Sequence, residues 1–385
     1  MTDTLEEASS SPLDIPITMS GVVLTGHGGF EKLEWRDDLP VPRLFADEVL
    51  IRVAAAGINN TDINTRTGWY SKKVHVGTVD GGASGFLESD DVDATWTGAP
   101  LTFPRIQGAD CCGHIVAVGE GVDPSRIGER VIVQVSLRAY VDHRPMEAWC
   151  LGSECDGAFA EFTKVPSAEA HRVDSDWSDV ELASLPTAYG TAENMLHRAG
   201  VSAGDRVLIT GASGGVGSAA VQLAKRRGAQ VTAVVARSKA ARLFELGADI
   251  VVFREDDLLG AMGAESQDVV VDVAGGPAFG DLLTALARGG RYAVAGAIAG
   301  PIVDLDLRTL YLKDLSFYGC TFQDDVVFEN LVGYVERDEI KPVVGATYPL
   351  ARIVEAQEDF LSKRTTGKIV LRVAPDGDDD GGAQR

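Results

Sequence analysis

From residue 17 to about 175, apolar positions come in short β-branched runs separated by Gly, Pro and Asp. Runs of this length bounded by turn formers predict strands, here at 21–24, 48–54, 113–118 and 130–135. Between 72 and 104 the pattern lapses into Gly, Asp and Thr with little periodicity, which predicts an extended surface loop. After about 176 the rhythm changes. Apolar runs at 207–210, 231–235, 250–253, 269–273, 292–295 and 315–319 alternate with helical patterns at 218–227, 239–246, 279–287 and 328–337. That alternation predicts a parallel, doubly wound sheet. A last short strand, 368–372, has no partner in the alternation and is free to return to the first half. No internal repeat is visible.

Composition bounds the rest. The 385 residues leave room for two domains of about 150–200 residues each, and 45% hydrophobic with 24% charged residues is ordinary for a soluble globular chain. No apolar run reaches the roughly 18 residues of a membrane span. Residues 1–11 are acidic and polar, without the basic start and apolar core of a secretory signal, so 1–16 reads as a disordered lead-in. The net charge of −22 argues against nucleic acid or an anionic membrane as the main partner. Only 10 of the 35 basic residues are lysines, and the tail 374–385 is acidic. This suggests either work in concentrated salt, where self-repulsion is screened, or simply a well-solvated acidic surface. Cys111, Cys112, Cys150, Cys155 and Cys320 are too few and too irregular for a disulfide framework, so a reducing cytoplasm is expected.

The strongest candidate chemistry lies in one unbroken run. The strand-like Asp205-Arg-Val-Leu-Ile-Thr210 leads into Gly211-Ala-Ser-Gly-Gly-Val-Gly217 and then the helical Ser218-Ala-Ala-Val-Gln-Leu-Ala-Lys225. A glycine loop there offers backbone N–H groups where a helix start carries partial positive charge, which is how a pyrophosphate is held. Gly211 suits the tight turn, Gly214 the approach of phosphate, and Gly217 close helix–strand packing. Ser213, Gly214, Gly215 and Val216 are expected to touch the pyrophosphate. The same letters also fit the G-x-S-x-G nucleophile elbow of hydrolases, whose histidine follows the serine in chain order. All six histidines here precede Ser213, so a dinucleotide is the better reading.

With a strand-rich first half, a nucleotide-binding second half and a returning tail, the chain resembles the medium-chain dehydrogenase/reductase superfamily over nearly its whole length. Gly57-Ile-Asn-Asn-Thr-Asp62 is similar to that family's Gly-Ile-Cys-Gly-Thr-Asp segment, and Asp156-Gly-Ala-Phe-Ala-Glu-Phe162 to its Gly-Gly-Tyr-Ala-Glu-Tyr turn. Gly108-Ala-Asp-x-x-Gly113 resembles its Gly-His-Glu-x-x-Gly segment. The resemblance implies an α/β fold: a GroES-like β-rich substrate domain (17–175, completed by 340–373) and a Rossmann doubly wound domain (176–339). Where zinc alcohol dehydrogenases place their metal ligands, this chain has Asn59, Ala109 and Pro186, and the four-cysteine structural-zinc lobe is missing. A catalytic zinc needs three protein ligands of N, S or O type, so no zinc is expected. The Asp110-Cys111-Cys112-x-His114 cluster reads as core cysteines, because strand alternation sends neighbours to opposite faces. The stretch Asn59-Asn-Thr-Asp-x-x-x-Arg66-x-Gly68-x-Tyr70 resembles the zinc-independent quinone oxidoreductase-like branch, which implies reduction of quinones, enones or other activated C=C bonds.

NAD sites end their second strand with an acid that binds the ribose 2′-OH. Here 231–235 runs into Arg237, Ser238 and Lys239, which would attract a 2′-phosphate, so NADPH is the expected cofactor. The resemblance adds Thr191 at the nicotinamide side, while Asp272, Gly296 and Ala297 stand where strands end at the ligand-binding edge. For hydride addition to an activated C=C bond, Asn59 is an expected hydrogen-bond donor to the developing enolate and Tyr70 a donor or proton source. Each also suits a packing role. Lys313 could line the pocket but reads first as a surface lysine at a helix end. A zinc-type alcohol or polyol dehydrogenase with displaced ligands, and an NADP(H)-binding protein without catalysis, remain alternatives. The expected partners are a small electrophilic substrate and, by resemblance, a second copy in a homodimer.

Overall fold

The computed structural model describes residues 15–373 apart from 88 and 90–93. The acidic tail and residues 1–14 of the expected lead-in lie outside the described residues. Ile15, within that lead-in, packs against the N-terminal core.

The first half is built from β1 (Thr18–Leu24), β2 (Leu33–Pro40), β3 (Glu48–Gly57), β4 (Arg105–Ile106), β5 (Cys112–Val118), β6 (Arg130–Val133), β7 (Phe162–Pro166) and β8 (Ala170–Arg172). The second half supplies β9 (Arg206–Ile209), β10 (Gln230–Val235), β11 (Ile250–Phe253), β12 (Gln267–Asp272), β13 (Leu286–Val294) and β14 (Ser316–Gly319). The closing segment adds β15 (Val344–Pro349) and β16 (Lys368–Arg372). Helices used below are α1 (Asn60–Thr67), α2 (Pro186–Arg198), α3 (Gly215–Arg226), α4 (Ala240–Glu245), α5 (Phe279–Ala285), α6 (Asp325–Glu336) and α7 (Ile353–Ser362).

Strand β3 is buried on both faces and organises the N-terminal sheet, whose order is β8-β6-β5-β3-β16-β15 with β7 also pairing β3. The returning strand β16 lies antiparallel to β3, with Val370 opposite Gly57 and Leu371 opposite Ala56. Its apolar Ile369-Val370-Leu371 is fully buried there, which explains a strand without a partner in the second half. Cys111 and Cys112 are buried and face different cores, as alternation requires, while His114 is exposed.

The second half is a parallel sheet of order β11-β10-β9-β12-β13-β14. Chain order reverses between β9 and β12, which opens a crevice beyond their carboxyl ends. Helix α3 starts at Gly215, three residues before the expected 218, because Gly214 takes the capping position. Strand β13 runs from Leu286 rather than 292 and so cuts α5 short at Ala285. Sequence pattern did not predict α1, α2 or α7. Helix α2 begins with a proline at its first position and carries Gly190 and two threonines, residues that read as loop.

The 72–104 segment is not simply a surface loop. Thr78, Ala94 and Thr95 are buried, a one-turn helix spans Thr78–Gly81, and the Thr78 N–H donates to the Ile298 carbonyl in the second half. Lys313 caps a short helix (Leu307–Leu312) and donates to the carbonyls of Leu283 and Thr284, at 3.0 and 3.1 Å.

Candidate functional site

The glycine loop joins β9 to α3 at the crevice. Gly211 has φ +56°, a left-handed conformation that suits glycine. A Cβ on Gly217 would collide with the Gly211 carbonyl, so that position fixes how closely the helix approaches the strand. No side chain caps the start of α3. The first-turn N–H groups of Gly215, Val216 and Gly217 have no intrahelical acceptor by geometry, so they face the crevice together with the positive end of the helix dipole. Ser213, Gly215 and Val216 are half-buried and Gly214 is exposed, which leaves a shallow cradle for an anion.

Asp272 ends β12 beside this loop, yet its side chain is fully buried. One carboxylate oxygen accepts from Thr210 Oγ1 (2.5 Å) and the N–H groups of Ala274 and Gly275; the other accepts from Tyr292 Oη (2.5 Å). Asp272 thus ties three strand ends together and shapes the crevice from behind, and the segment that it opens stands at the carboxyl edge of the sheet. Gly296 and Ala297 are half-buried beyond β13, and a Cβ on Gly296 would lie 2.8 Å from the Val273 carbonyl. Thr191 sits half-buried in the second turn of α2.

At the end of β10, Arg237 stacks 3.9 Å over the Phe253 ring and pairs with Asp256 at 2.9 Å while staying 63% exposed. Exposed pairs of this kind exchange easily with a competing phosphate. Ser238 is exposed and free of capping duty. Lys239 instead crosses to the other half, where Nζ donates to the carbonyls of Lys363 and Thr365 at 2.8 Å each.

Across the crevice a buried polar cluster joins four segments far apart in the chain. Lys368 Nζ lies 2.7 Å from Asp110 Oδ2, donates to the Ile58 carbonyl at 2.9 Å, and bonds Asn59 Oδ1. These three partners use all three ammonium protons. Asn59 Nδ2 donates to Asp110 Oδ2 (2.9 Å) and the Gly57 carbonyl (3.3 Å), so both of its amide hydrogens are also committed. Asp110 Oδ1 accepts the Thr187 N–H at 2.7 Å. Asp62 accepts the Asn59 N–H at 2.8 Å; burial pushes its carboxyl up to about 7, and the Asp110 charge adds to the rise. The donor role expected of Asn59 would require it to break one of these bonds. Lys368, which sequence pattern marked only as the first residue of a strand, holds the cluster together.

Of the three positions that the resemblance assigns to zinc ligands, Ala109 and Pro186 offer no side-chain donor, and the Asn59 oxygen is taken by an ammonium. Among the described residues, no group of three or more His, Cys, Asp or Glu side chains is placed to hold a metal ion. The donor set does not fit a catalytic zinc.

On the neighbouring turn, Tyr70 Oη donates to Thr61 Oγ1 at 3.2 Å. Burial holds the Tyr70 phenol well above its ordinary range, and the Trp69 ring packs edge-on against it at 5.7 Å. Thr61 accepts from Tyr70, and its hydroxyl also reaches the Cys150 thiol. It was not singled out in the sequence because one threonine beside Asn59 carries no distinguishing pattern. Ala109 packs with Cys150, Val135 and the half-buried Trp96. Beyond Trp96 opens a cavity of about 730 Å3, lined by Trp149, Leu101, Met146, Phe322 and Thr321 among others. Its lining draws on both halves but contains none of the glycine-loop residues. It is a compartment beside the dinucleotide crevice rather than part of it, of a size that suits a small organic ligand.

Residues 46–175 match the family described as the alcohol dehydrogenase GroES-like domain, and residues 215–337 match the zinc-binding dehydrogenase family. The acryloyl-coenzyme A reductase of Metallosphaera sedula is 30% identical, with 92% of this chain and 99% of that protein covered. The quinone oxidoreductase of Lama guanicoe is 28% identical, covering 92% and 97%. The NADPH-dependent alkenal/one oxidoreductase of Arabidopsis thaliana is 27% identical, covering 94% and 81%. A solved structure from Sinorhizobium meliloti 1021 that carries a provisional alcohol dehydrogenase label is 46% identical, with a TM-score of 0.83 and 94% and 98% coverage.

Proposed function

We propose that this chain, which belongs to the medium-chain dehydrogenase/reductase superfamily and to its quinone oxidoreductase-like branch, reduces an activated C=C bond of an enone, quinone or unsaturated thioester with NADPH and without a catalytic metal. The single observation that carries the reading is the Lys368–Asp110–Asn59 cluster, which puts an ammonium bonded to Asn59 where a zinc site would need a ligand. The names of the acryloyl-coenzyme A reductase, quinone oxidoreductase and alkenal/one oxidoreductase relatives point to the same reaction class.

Bound NADPH supplies a hydride. The uncapped start of α3 at Gly214–Gly217 would bind its pyrophosphate, and Arg237, Ser238 and Lys239 its 2′-phosphate. With hydride added at carbon, charge develops on the substrate oxygen, which needs a hydrogen-bond donor and then a proton. Thr61 Oγ1 is bonded by Tyr70 Oη, so the two hydroxyls form a short route for that proton. Asn59 acts by orienting the start of α1, on which Thr61 sits. The 730 Å3 cavity beyond Trp96 would take the body of the substrate, and Trp96 and Trp149 would exclude water from it. A homodimer through the sheet edge accords with the exposed Tyr311, Leu312 and Phe317 next to and on β14.

The test is NADPH oxidation against a panel of enones, quinones and simple ketones, with elemental analysis and chelation. Turnover of enones or quinones by metal-free protein supports the reading. An alcohol dehydrogenase reading has the label of the 46% identical structure in its favour. Stoichiometric zinc lost together with activity on chelation would establish that rival and overturn ours.

A further inference from the structure

The cavity beyond Trp96 has five charged side chains in its wall, and four of them are already engaged. Arg144 pairs with Glu147 at 2.9 Å, and Arg105 pairs with Asp156 at 2.8 Å. Glu154 accepts from the Thr97 hydroxyl and the Cys150 N–H, both at 2.8 Å. The fifth, Arg198, is half-buried and makes no hydrogen bond, ion pair or ring contact among the described residues. Two arginines near the same helix end show what is missing. Arg291 donates to the Ala199 and Gly200 carbonyls and pairs with Asp205, while Arg227 reaches the Val201 carbonyl and pairs with Glu193. The carbonyls just beyond α2 are therefore served without Arg198. A cation held partly out of water with no counter-ion costs free energy, and 57 acidic residues were there to supply one.

The face of α2 that carries Arg198 is fixed by its neighbours. Asn194, four residues earlier, donates from Nδ2 to the Phe322 carbonyl at 3.0 Å, and Thr191 lies seven residues earlier. Positions i, i+3 and i+7 of a helix share one face. Arg198 therefore stands on the side that packs against 319–322, where Gly319, Thr321 and Phe322 wall the cavity. Burial raises the Cys320 thiol in that segment, and the Arg198 charge opposes the rise, so the guanidinium acts on this wall. At 1.5 Å per residue, Arg198 stands about 10 Å along α2 from Thr191.

We propose that Arg198 anchors an anionic group of the substrate, so that the compound reduced carries a carboxylate or a phosphate roughly 10 Å from its reacting carbon. This rests on the reductase reading above, with Thr191 on the nicotinamide side, and deepens it by naming the substrate class. A guanidinium fork binds either oxyanion in the same way. Trp96, Leu101 and Trp149 enclose the apolar stretch between the two ends.

The experiment uses the full-length chain and three straight-chain enones of equal length, ending in a carboxylate, its methyl ester or a phosphate. With NADPH, kcat/KM for the better anion should exceed that for the ester about tenfold or more, through KM. Arg198→Met keeps the stem without the charge and should bring that ratio near one, while Arg198→Lys should retain part of it. Each ratio is taken within one protein, so a folding defect does not imitate the loss. The larger ratio, for carboxylate or for phosphate, identifies the anion. A wild-type ratio near one, or one unchanged in Arg198→Met, overturns the anchor and leaves the reductase reading standing. If no enone is turned over, the reductase reading fails, and calorimetry with the same carboxylate and phosphate decides the anchor alone. Binding to Arg198→Met about tenfold weaker than to wild type then keeps it, and equal binding or none overturns it.

Discussion

The glycine loop and the Asn59–Asp110–Lys368 cluster face each other across one crevice and are built in opposite ways. The loop is eight consecutive residues, Thr210 to Gly217, whose work is done by backbone N–H groups and by the absence of side chains. The cluster draws on segments around 58, 110, 187 and 368, and its work is done by three side chains bonded to one another and to the backbone groups of Gly57, Ile58 and Thr187. They meet at Lys368: a Cβ on Gly215 would lie 2.8 Å from Lys368 Cδ. Damage to the first should show in cofactor binding, and damage to the second in stability. Each measurement below either separates the two or shows that they act as one.

The largest effect is expected from Asp110→Ala, which strands the Lys368 ammonium in a site where both side chains are at most 4% exposed. The loss should be about 3–5 kcal/mol by chemical denaturation, and the double change Asp110→Leu with Lys368→Met should recover much of it. A single variant as stable as wild type would mean the cluster opens to water. Next, Tyr70→Phe removes the proton that supports Thr61 and should lower kcat with an enone by roughly 100-fold, leaving NADPH affinity unchanged. An unchanged kcat would return Tyr70 to a packing role.

Gly217→Ala should weaken dinucleotide binding through a helix displaced by the Gly211 carbonyl, at a cost of about 1–3 kcal/mol. If its stability loss equals that of the Asp110 variant while binding is untouched, the division of labour between loop and cluster fails. The smallest effect concerns pH. Burial, and then the charge of Lys239, brings the Lys363 ammonium down to about 8. The groups facing it are Lys239, Asn60 and Phe360, so no acid offsets the shift. The cation persists below that pH and is lost above it, so labelling of the Lys363 amine by an amine-selective reagent should rise severalfold from pH 7 to 9, and Lys239→Met, which removes the neighbouring charge, should move that rise to higher pH.

How far the sequence could be read follows from this contrast. The loop is local: a strand, three spaced glycines and a helix start are contiguous, and their geometry follows from the backbone alone. The alternation of apolar runs likewise exposed the parallel sheet. Helix α2 escaped notice because Pro186 and Gly190 look like loop residues until tertiary packing buries Tyr189, Met195 and Leu196. The 72–104 segment looked unstructured because its anchors are single residues, Thr78 and Ala94, rather than a period.

The site itself divides along the same line. The local shape of the glycine loop and of the basic turn at Arg237–Lys239 was legible, since each is a run of neighbours. That Asn59 is already bonded, that Asp272 braces strands from within, and that Thr61 meets Tyr70 were not, because each depends on a partner that folding supplies. Lys368 is the clearest case. In the chain it opens an apolar strand, a position that usually faces solvent; antiparallel pairing of β16 with β3 carries it into the interior beside Asp110. The sequence by itself determined a glycine loop that leads from a strand into an uncapped helix start, because that depends on backbone conformation over a few residues. Only the tertiary structure decided what stands opposite it, because a buried charge is tolerated only where distant segments bring its counter-ion and hydrogen-bond partners to the same point.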